Sequence, residues 1–347
     1  MKTVASIYVG LDDYPYQKNI EYLHNLSNIG IKRIFISAHM PEVKDTFLEE
    51  LIGLIDEANK LNMEIILDIS KPSLEKIGII GNIYSLRLDW GFSNDDIIEL
   101  SNYPFLLELN ASTITQSALE DLKSRGLDFN KLRVSHNFYP KPYTGLSYEA
   151  VLEKNKLFRS YGMHIMIYIP SSVGKRPPLY EGLPTIEEHR NLDLDSILAD
   201  MTLLDVDEVC FGDAYASNEE LEAAINFDLE IINIPIYIYD SICDTEKEIL
   251  NKIHRNRADQ SIYFIRSSHR EINEITPFNT INRSKYSITI DNREFLRYQG
   301  EVAIMRMDLE KDHRVNVVGK ALISDFLLQN MKPRQKFRFR IRGTINE

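Results

Sequence analysis

Asp68, Asp89, Asn110, His136, Asn137, Tyr168 and Asp213 each stand at the polar end of a short hydrophobic run. Carboxylates can exchange protons or attack, amides bond hydroxyls, and aromatic rings cover the apolar faces of sugars. Tyr8 and His39 end two earlier runs and join the set. A rim of this composition suits a polyhydroxylated ligand. Three other chemistries fare worse on spacing. No G-x-S-x-G elbow marks a serine nucleophile, and no G-x-G-x-x-G marks a dinucleotide site. His39, Asp68, Asp89, His136 and Asp213 are the residue types a metal-dependent sugar isomerase uses, but no HExxH or comparable ligand spacing accompanies them. We therefore expect neither a metal nor a cofactor.

The elements that must position these residues are eight strand-like runs, 4–9, 33–37, 63–69, 84–89, 105–110, 132–136, 164–169 and 208–211, each followed by an amphipathic stretch. Eight βα units predict an α/β fold, a closed (β/α)8 TIM barrel with its site at the C-terminal ends of the strands. Phe47, Leu48, Leu51, Leu54, Ile55 and Ala58 repeat at helical spacing and predict an outer helix. Capping-box spacing predicts helix starts at Thr46, Thr113, Thr185 and Ser217. After about residue 227 short β-like runs take over. The 347 residues exceed one ordinary barrel of about 250, so the expected division is a barrel over 1–231 and a small β domain over 232–347.

Strand parity makes a sharper statement. With Leu86, Leu88, Leu107, Leu109, Leu132 and Val134 facing the helix layer, Arg87 and Asp89, Glu108 and Asn110, and Arg133, Ser135 and Asn137 face the interior. Arg87, Glu108 and Arg133 then form a plus–minus–plus row, expected to be a buried salt-bridge layer, because unpaired interior charge is costly. The alternative is an anion-binding floor.

About 25 residues lie between the seventh strand and its helix, beyond the usual loop length. This loop carries Lys175, Arg176, Glu181, Glu187, His189 and Arg190, and is read as a substrate wall or lid. The strand at 336–342 alternates Lys or Arg with Phe337, Phe339 and Ile341. It is read as an exposed cationic face or a second source of cations for an anionic ligand.

Net charge is −12, which argues against a nucleic-acid partner. Residues 1–231 hold 20 basic and 37 acidic side chains, and residues 232–347 hold 20 and 15, so the imbalance belongs to the barrel. Cys210 and Cys243 are too few and too far apart for a disulfide framework. No signal peptide and no membrane-length apolar run is evident. A cytoplasmic protein without a membrane partner is expected. Oligomeric state is not legible.

Four motifs in order resemble one bacterial family: Leu86-Arg87-Leu88-Asp89-Trp90-Gly91-Phe92; His136-Asn137-Phe138-Tyr139-Pro140 with Thr144-Gly145-Leu146-Ser147; Glu181-Gly182-Leu183-Pro184-Thr185 with Glu187, His189 and Arg190; and Phe211-Gly212-Asp213-Ala214. This is the 6-phospho-N-acetylmuramidase family of MupG-like glycosidases, and within it the chain looks most similar to the staphylococcal member. The resemblance covers nearly the whole chain. It implies a TIM barrel followed by a cyclophilin-like β domain. It also implies cleavage of the β-1,4 bond in N-acetylmuramic acid 6-phosphate–N-acetylglucosamine during peptidoglycan recycling, with that phosphorylated disaccharide as partner. Glycoside hydrolysis usually takes two carboxyl groups. Asp89 is the first choice for catalysis, with Asp213 or Glu181 as its partner and Asp68 in reserve. Tyr8, His39, Asp68, Asn110, His136, Asn137, Tyr139 and Tyr168 are expected to bind sugar, and Lys175, Arg176 and Arg190 the phosphate. The alternatives are a sugar-phosphate-binding regulator on a non-catalytic barrel and the metal-dependent isomerase.

Overall fold

The structure, a computed structural model, describes residues 1–38, 46–268 and 274–345; His39 lies outside them. Eight parallel strands close a barrel in sequence order: β1 (Lys2–Ile7), β2 (Arg33–Ser37), β3 (Glu64–Ile69), β4 (Ser85–Leu88), β5 (Leu106–Asn110), β6 (Leu132–Ser135), β7 (His164–Ile169) and β8 (Glu208–Phe211). The helices that follow them are α1 (Tyr16–Ile29), α2 (Phe47–Lys60), α3 (Lys71–Ile77), α4 (Asn94–Leu100), α5 (Gln116–Ser124), α6 (Tyr148–Ser160), α7 (Leu194–Leu204) and α8 (Asn218–Ile225). The expected βα alternation is therefore present in all eight units.

Helix α2 buries Leu51, Leu54, Ile55 and Ala58, the stripe its spacing announced. The capping expectations fare unevenly. Ser217 caps α8 in a full capping box with Glu220. Thr46 makes no side-chain cap, and α5 starts two residues after Thr113, on Thr115. Thr185 caps no α-helix, and a 3-10 turn, Glu187–Asn191, begins two residues on. Its hydroxyl donates to the Asn137 carbonyl at 2.8 Å and accepts the Tyr168 amide at 3.0 Å, tying the loops after β6 and β7 together. Ser93 caps α4 with Asp96 at the third position, where the Glu/Gln pattern misses it.

The barrel interior holds charge in two tiers, not one row. In the lower tier Glu208 accepts from Arg33 and, at 2.5 Å, from Arg133; Arg133 also pairs with Glu108 at 2.5 Å, and Arg33 with Glu64 at 2.5 Å. Each buried guanidinium thus touches two carboxylates, which offsets the desolvation of the cluster. Arg87 belongs to the upper tier. Its Cα is in register with Glu108, but its long side chain runs toward the strand ends, to Asp68, Ser135 and Asn137. Register fixes a Cα; the reach of an arginine decides which tier it joins. The other side of the interior is apolar, built from Val4, Phe35, Ile66, Met166, Tyr168 and Cys210.

The chain packs as two units, 1–190 with 204–226, and 191–203 with 227–347. Thus most of α7 packs with the second unit. That unit is built from β9 (Ile231–Tyr239), α9 (Asp244–Leu250), β10 (Ile253–Arg255), β11 (Phe264–Arg266), β12 (Ser287–Asp291), β13 (Val302–Met305), β14 (Val315–Ala321), α10 (Asp325–Asn330) and β15 (Lys336–Ile345). Its sheet runs β10-β15-β9-β14-β12-β13-β11, with β15 parallel to β9 and the other pairs antiparallel. Ile232, Ile234, Ile236, Ile288, Ile290, Ile304, Phe337 and Phe339 fill its core. Within this unit Ser324 donates to Asp200 at 2.6 Å, and Arg342 pairs with Asp193 and Asp195 at 2.9 and 2.8 Å. Arg338 bonds Asn233 at 2.8 Å. These cations of β15 are spent on their own unit, so the strand is a weak source of cations for a ligand. Among the described residues no helix is long and apolar enough to cross a membrane.

Candidate active site

Arg87 organises the C-terminal end of the barrel. One terminal nitrogen, Nη1, lies 2.5 Å from Asp68 Oδ1 and 3.3 Å from Asp89 Oδ1; Nη2 donates to Asn137 Oδ1 at 2.6 Å and Nε to Ser135 Oγ at 2.7 Å. Sharing one nitrogen keeps the two carboxylate oxygens within about 6 Å of each other, the sum of the two legs. Their surroundings differ. Asp68 is buried, accepts from Ser37 at 3.0 Å, and is pushed up by burial and by the Asp89 charge against the pull of Arg87. The Asp89 side chain keeps 26% of its surface exposed. A buried carboxyl raised beside a second carboxylate is an arrangement suited to acid–base work. Asp68 and Asp89 come from adjacent strands, and the inward parity of β3 and β4 puts them there.

Across the mouth, Arg176 on the loop after β7 lies over the rings of Tyr8 and Phe138, 5.2 and 5.8 Å from their centroids. Its Nε is buried and bonds no described residue. Lys175 is beside it, and its charge is a minor influence favouring the ionised form of Asp213 against the burial that raises it. Cations in the loop after strand seven are where barrels often hold phosphate.

Several expected site residues have other duties. His136 follows the outward parity of its strand: it is fully buried, bonds Asn155 of α6 at 2.8 Å, and burial pulls it down to about 4. It does not line the site. Asp213 is also fully buried. Burial raises it, while backbone amides of Ser171, Arg176 and Leu183, at 2.9, 3.4 and 3.3 Å, work in the opposite direction. It holds the loop after β7, with both carboxylate oxygens taken by these amides. Tyr8 is buried with its hydroxyl donated to the Gly212 carbonyl at 2.6 Å, and Tyr168 is buried against Phe35 and Phe138. Both are buried in the floor of the barrel mouth. Asn110 is nearly buried and accepts the Ser112 amide at 3.0 Å. Asn137 and Tyr139 stay part-exposed at the rim, and Glu181 is exposed on its loop.

Arg190 is removed from the phosphate set. It pairs with Glu187 at 2.7 and 2.8 Å and donates to the carbonyls of Gly182 and Tyr139, both at 2.9 Å. Glu187 in turn accepts the amides of Tyr143 and Gly145 at 2.8 and 2.7 Å, and Arg190 foremost holds it low, at about 2. This clamp joins the loops after β6 and β7. Gly145 is required there: a Cβ would stand 2.7 Å from the Glu187 amide nitrogen.

Three exposed aromatics escaped the sequence reading. Trp90, Tyr143 and Tyr180 are 51%, 94% and 49% exposed, on the loops after β4, β6 and β7. Such rings offer stacking faces to sugars. The signal for Trp90 was available, since the only tryptophan of the chain adjoins Asp89.

Comparison with known proteins agrees with this architecture. No curated protein is similar in sequence. A crystal structure described as an uncharacterized B. cereus protein is 27% identical, with TM-score 0.81 over 98% of this chain and 99% of that one. Another, a conserved Enterococcus faecalis protein with an unknown function, is 27% identical, with TM-score 0.77 over 99% of this chain and 97% of that one. The family models for the N-terminal and C-terminal parts of 6-phospho-N-acetylmuramidase match residues 5–226 and 232–340. A carboxylate pair at the mouth of a (β/α)8 barrel, with both family models matched in order, leads to one conclusion: the chain belongs to the 6-phospho-N-acetylmuramidase family and is a glycosidase.

Proposed function

We propose that the enzyme hydrolyses the β-1,4 bond of N-acetylmuramic acid 6-phosphate–N-acetylglucosamine in peptidoglycan recycling, in the cytoplasm. The observation that carries this reading is the pairing of chemistries at one barrel mouth: Asp68 and Asp89 on a shared arginine nitrogen, and Arg176 with an unbonded buried Nε on the loop after β7. Asp89, the more exposed carboxylate, is assigned to meet the scissile bond. Asp68 is its partner, so that a proton on the pair is governed by both environments. This replaces the pairing of Asp89 with Asp213, which is occupied by amides. Glu181 stays available on the mouth loop as a second group.

Arg176 and Lys175 are assigned to the 6-phosphate. A guanidinium stacked on two rings is pre-oriented, and its planar fork matches phosphate oxygens. Trp90, Tyr139 and Tyr143 supply ring faces, and Asn137 an amide, to the sugar hydroxyls and faces. The test is turnover of the phosphorylated disaccharide beside its unphosphorylated form. A charge-assisted hydrogen bond contributes about 1.5–3 kcal/mol, so removing the phosphate, or Arg176→Ala, should lower kcat/KM about tenfold to a hundredfold. Equal turnover of the two disaccharides refutes the phosphate assignment. Binding without turnover of either favours a sugar-phosphate regulator.

A further inference from the structure

The second unit has a cavity of its own, with a volume of ≈ 200 Å³. It lies on the β11-β13-β12-β14 part of the sheet, lined by Phe264, Ala303 and Met305 as an apolar floor and by Phe295 and Tyr298 from the 3-10 segment Arg293–Tyr298. Charged groups of both signs reach into it. Arg266 and Glu301 neutralise each other at 2.7 Å. Two others do not. Arg283 spends its Nε on the Glu310 carbonyl at 2.9 Å and lies within electrostatic reach of Asp291 and Asp312, with no direct ion pair among the described residues. The Asp291 carboxyl makes no direct hydrogen bond or ion pair among the described residues, although the charges of Arg266 and Arg283 reach it. An acid and a guanidinium that face one cavity beside aromatic rings without a direct bond are incompletely satisfied, and part-buried polar groups without hydrogen-bond partners are unfavourable.

The rim adds an independent sign. Leu296, between the two lining aromatics, has φ 56° and ψ −120° and is 80% exposed. A non-glycine residue at this φ costs about 1–3 kcal/mol, and such strain collects at ligand sites. Here it leaves a large apolar side chain in solvent at the cavity edge.

We propose that this cavity binds a small zwitterion with an apolar side chain, of the size and charge pattern of a free amino acid. Its carboxylate meets Arg283, its ammonium meets Asp291, and its side chain lies on Phe264 and Met305. The dimensions fit a molecule of that size. Burial, with Glu301 and Asp312 adding repulsion and Arg266 and Arg283 opposing it, pushes Asp291 up to about 7, which an ammonium ion would reverse by favouring the carboxylate. The site is independent of the glycosidase reading and stands or falls without it.

The test is calorimetric titration of the full chain with L-leucine and L-methionine, and then with N-acetyl-L-leucine and L-leucinamide. Each derivative lacks one of the two charges. Saturable binding of at least one amino acid is expected, with each leucine derivative, or N-acetyl-L-methionine and L-methioninamide if methionine is the ligand, at least about tenfold weaker, the equivalent of one charge-assisted bond. Asp291→Asn and Arg283→Gln should weaken it similarly, with disaccharide turnover unchanged. The derivatives are tested on the unaltered protein, so a variant that fails to fold does not decide the matter. No saturable heat from either amino acid up to about 20 mM, or equal binding of a charge-deleted derivative, overturns the proposal.

Discussion

Asp89→Asn and Asp68→Asn separate proton chemistry from structure, because the two carboxylates share Arg87 and differ in everything else. Asp89 is 3.3 Å from Nη1 with a quarter of its side chain in solvent; Asp68 is 2.5 Å away and buried. Converting Asp89 to the amide removes an outer, part-screened partner while Arg87 keeps Asp68, Ser135 and Asn137. Its stability cost should be about 1 kcal/mol or less, as for solvent-exposed pairs. Its kinetic cost should be about 10²–10⁴ in kcat, the usual loss of an acid–base group, or about 3–5 kcal/mol of barrier. Asp68→Asn withdraws the buried partner. Disruption of such a pair costs about 3–5 kcal/mol; the remaining partners of Arg87 put the expectation at the lower end, with kcat falling as well. The assay is initial rates on the phosphorylated disaccharide beside denaturant unfolding of both variants. If Asp89→Asn keeps more than about a tenth of kcat, below the usual effect, Asp89 only binds substrate. If it destabilises as much as Asp68→Asn, it belongs to the structural tier and the assignment is wrong.

Three more outcomes follow from the geometry. Glu208→Ala should cost about 3–5 kcal/mol or more and exceed Glu108→Ala, because Glu208 serves both Arg33 and Arg133, while Arg133 without Glu108 retains Glu208; denaturant midpoints that rank the two the other way would contradict the lower tier. Glu187→Gln should reduce kcat/KM about tenfold, the loss of one charge-assisted bond, and raise proteolysis of the loops after β6 and β7; since the Glu187 carboxylate is held low, its contribution is present above about pH 4.5 and is lost as pH falls through about 2, so wild type and variant should converge in acid. Asp291 behaves oppositely. Its folded value of about 7 lies above the unfolded one, so the neutral form is favoured by folding: that stability is complete below about pH 4 and is lost as pH rises through about 7, and thermal unfolding should find Asp291→Asn gaining on wild type between pH 5 and pH 8.

Alternation of apolar runs determined the eight strands and the helix layer, and with them the barrel end that carries the candidate site, because period-two and period-3.6 burial are local consequences of sequence. Parity along β3 to β6 likewise placed Asp68, Arg87, Glu108 and Arg133 inside. It also turned His136 outward, and the residue type alone had made it a ligand. What the sequence could not decide was which charges meet. Arg87 and Glu108 are neighbours in register, yet they sit in different tiers, since an arginine side chain spans more than one residue step and takes the partners that satisfy all its donors. Arg190 and Arg176 read alike in one loop. Only the folded loop spends the first on Glu187 and backbone carbonyls and leaves the Nε of the second, between two rings, without a bond among the described residues. Asp213 was expected to face the cleft, but three amides gathered from across the loop bind it instead. Hydrogen-bond satisfaction is a property of the whole surroundings of a group. Composition and spacing list the candidates for the site, and tertiary packing alone decides which of them still have an atom to offer a substrate.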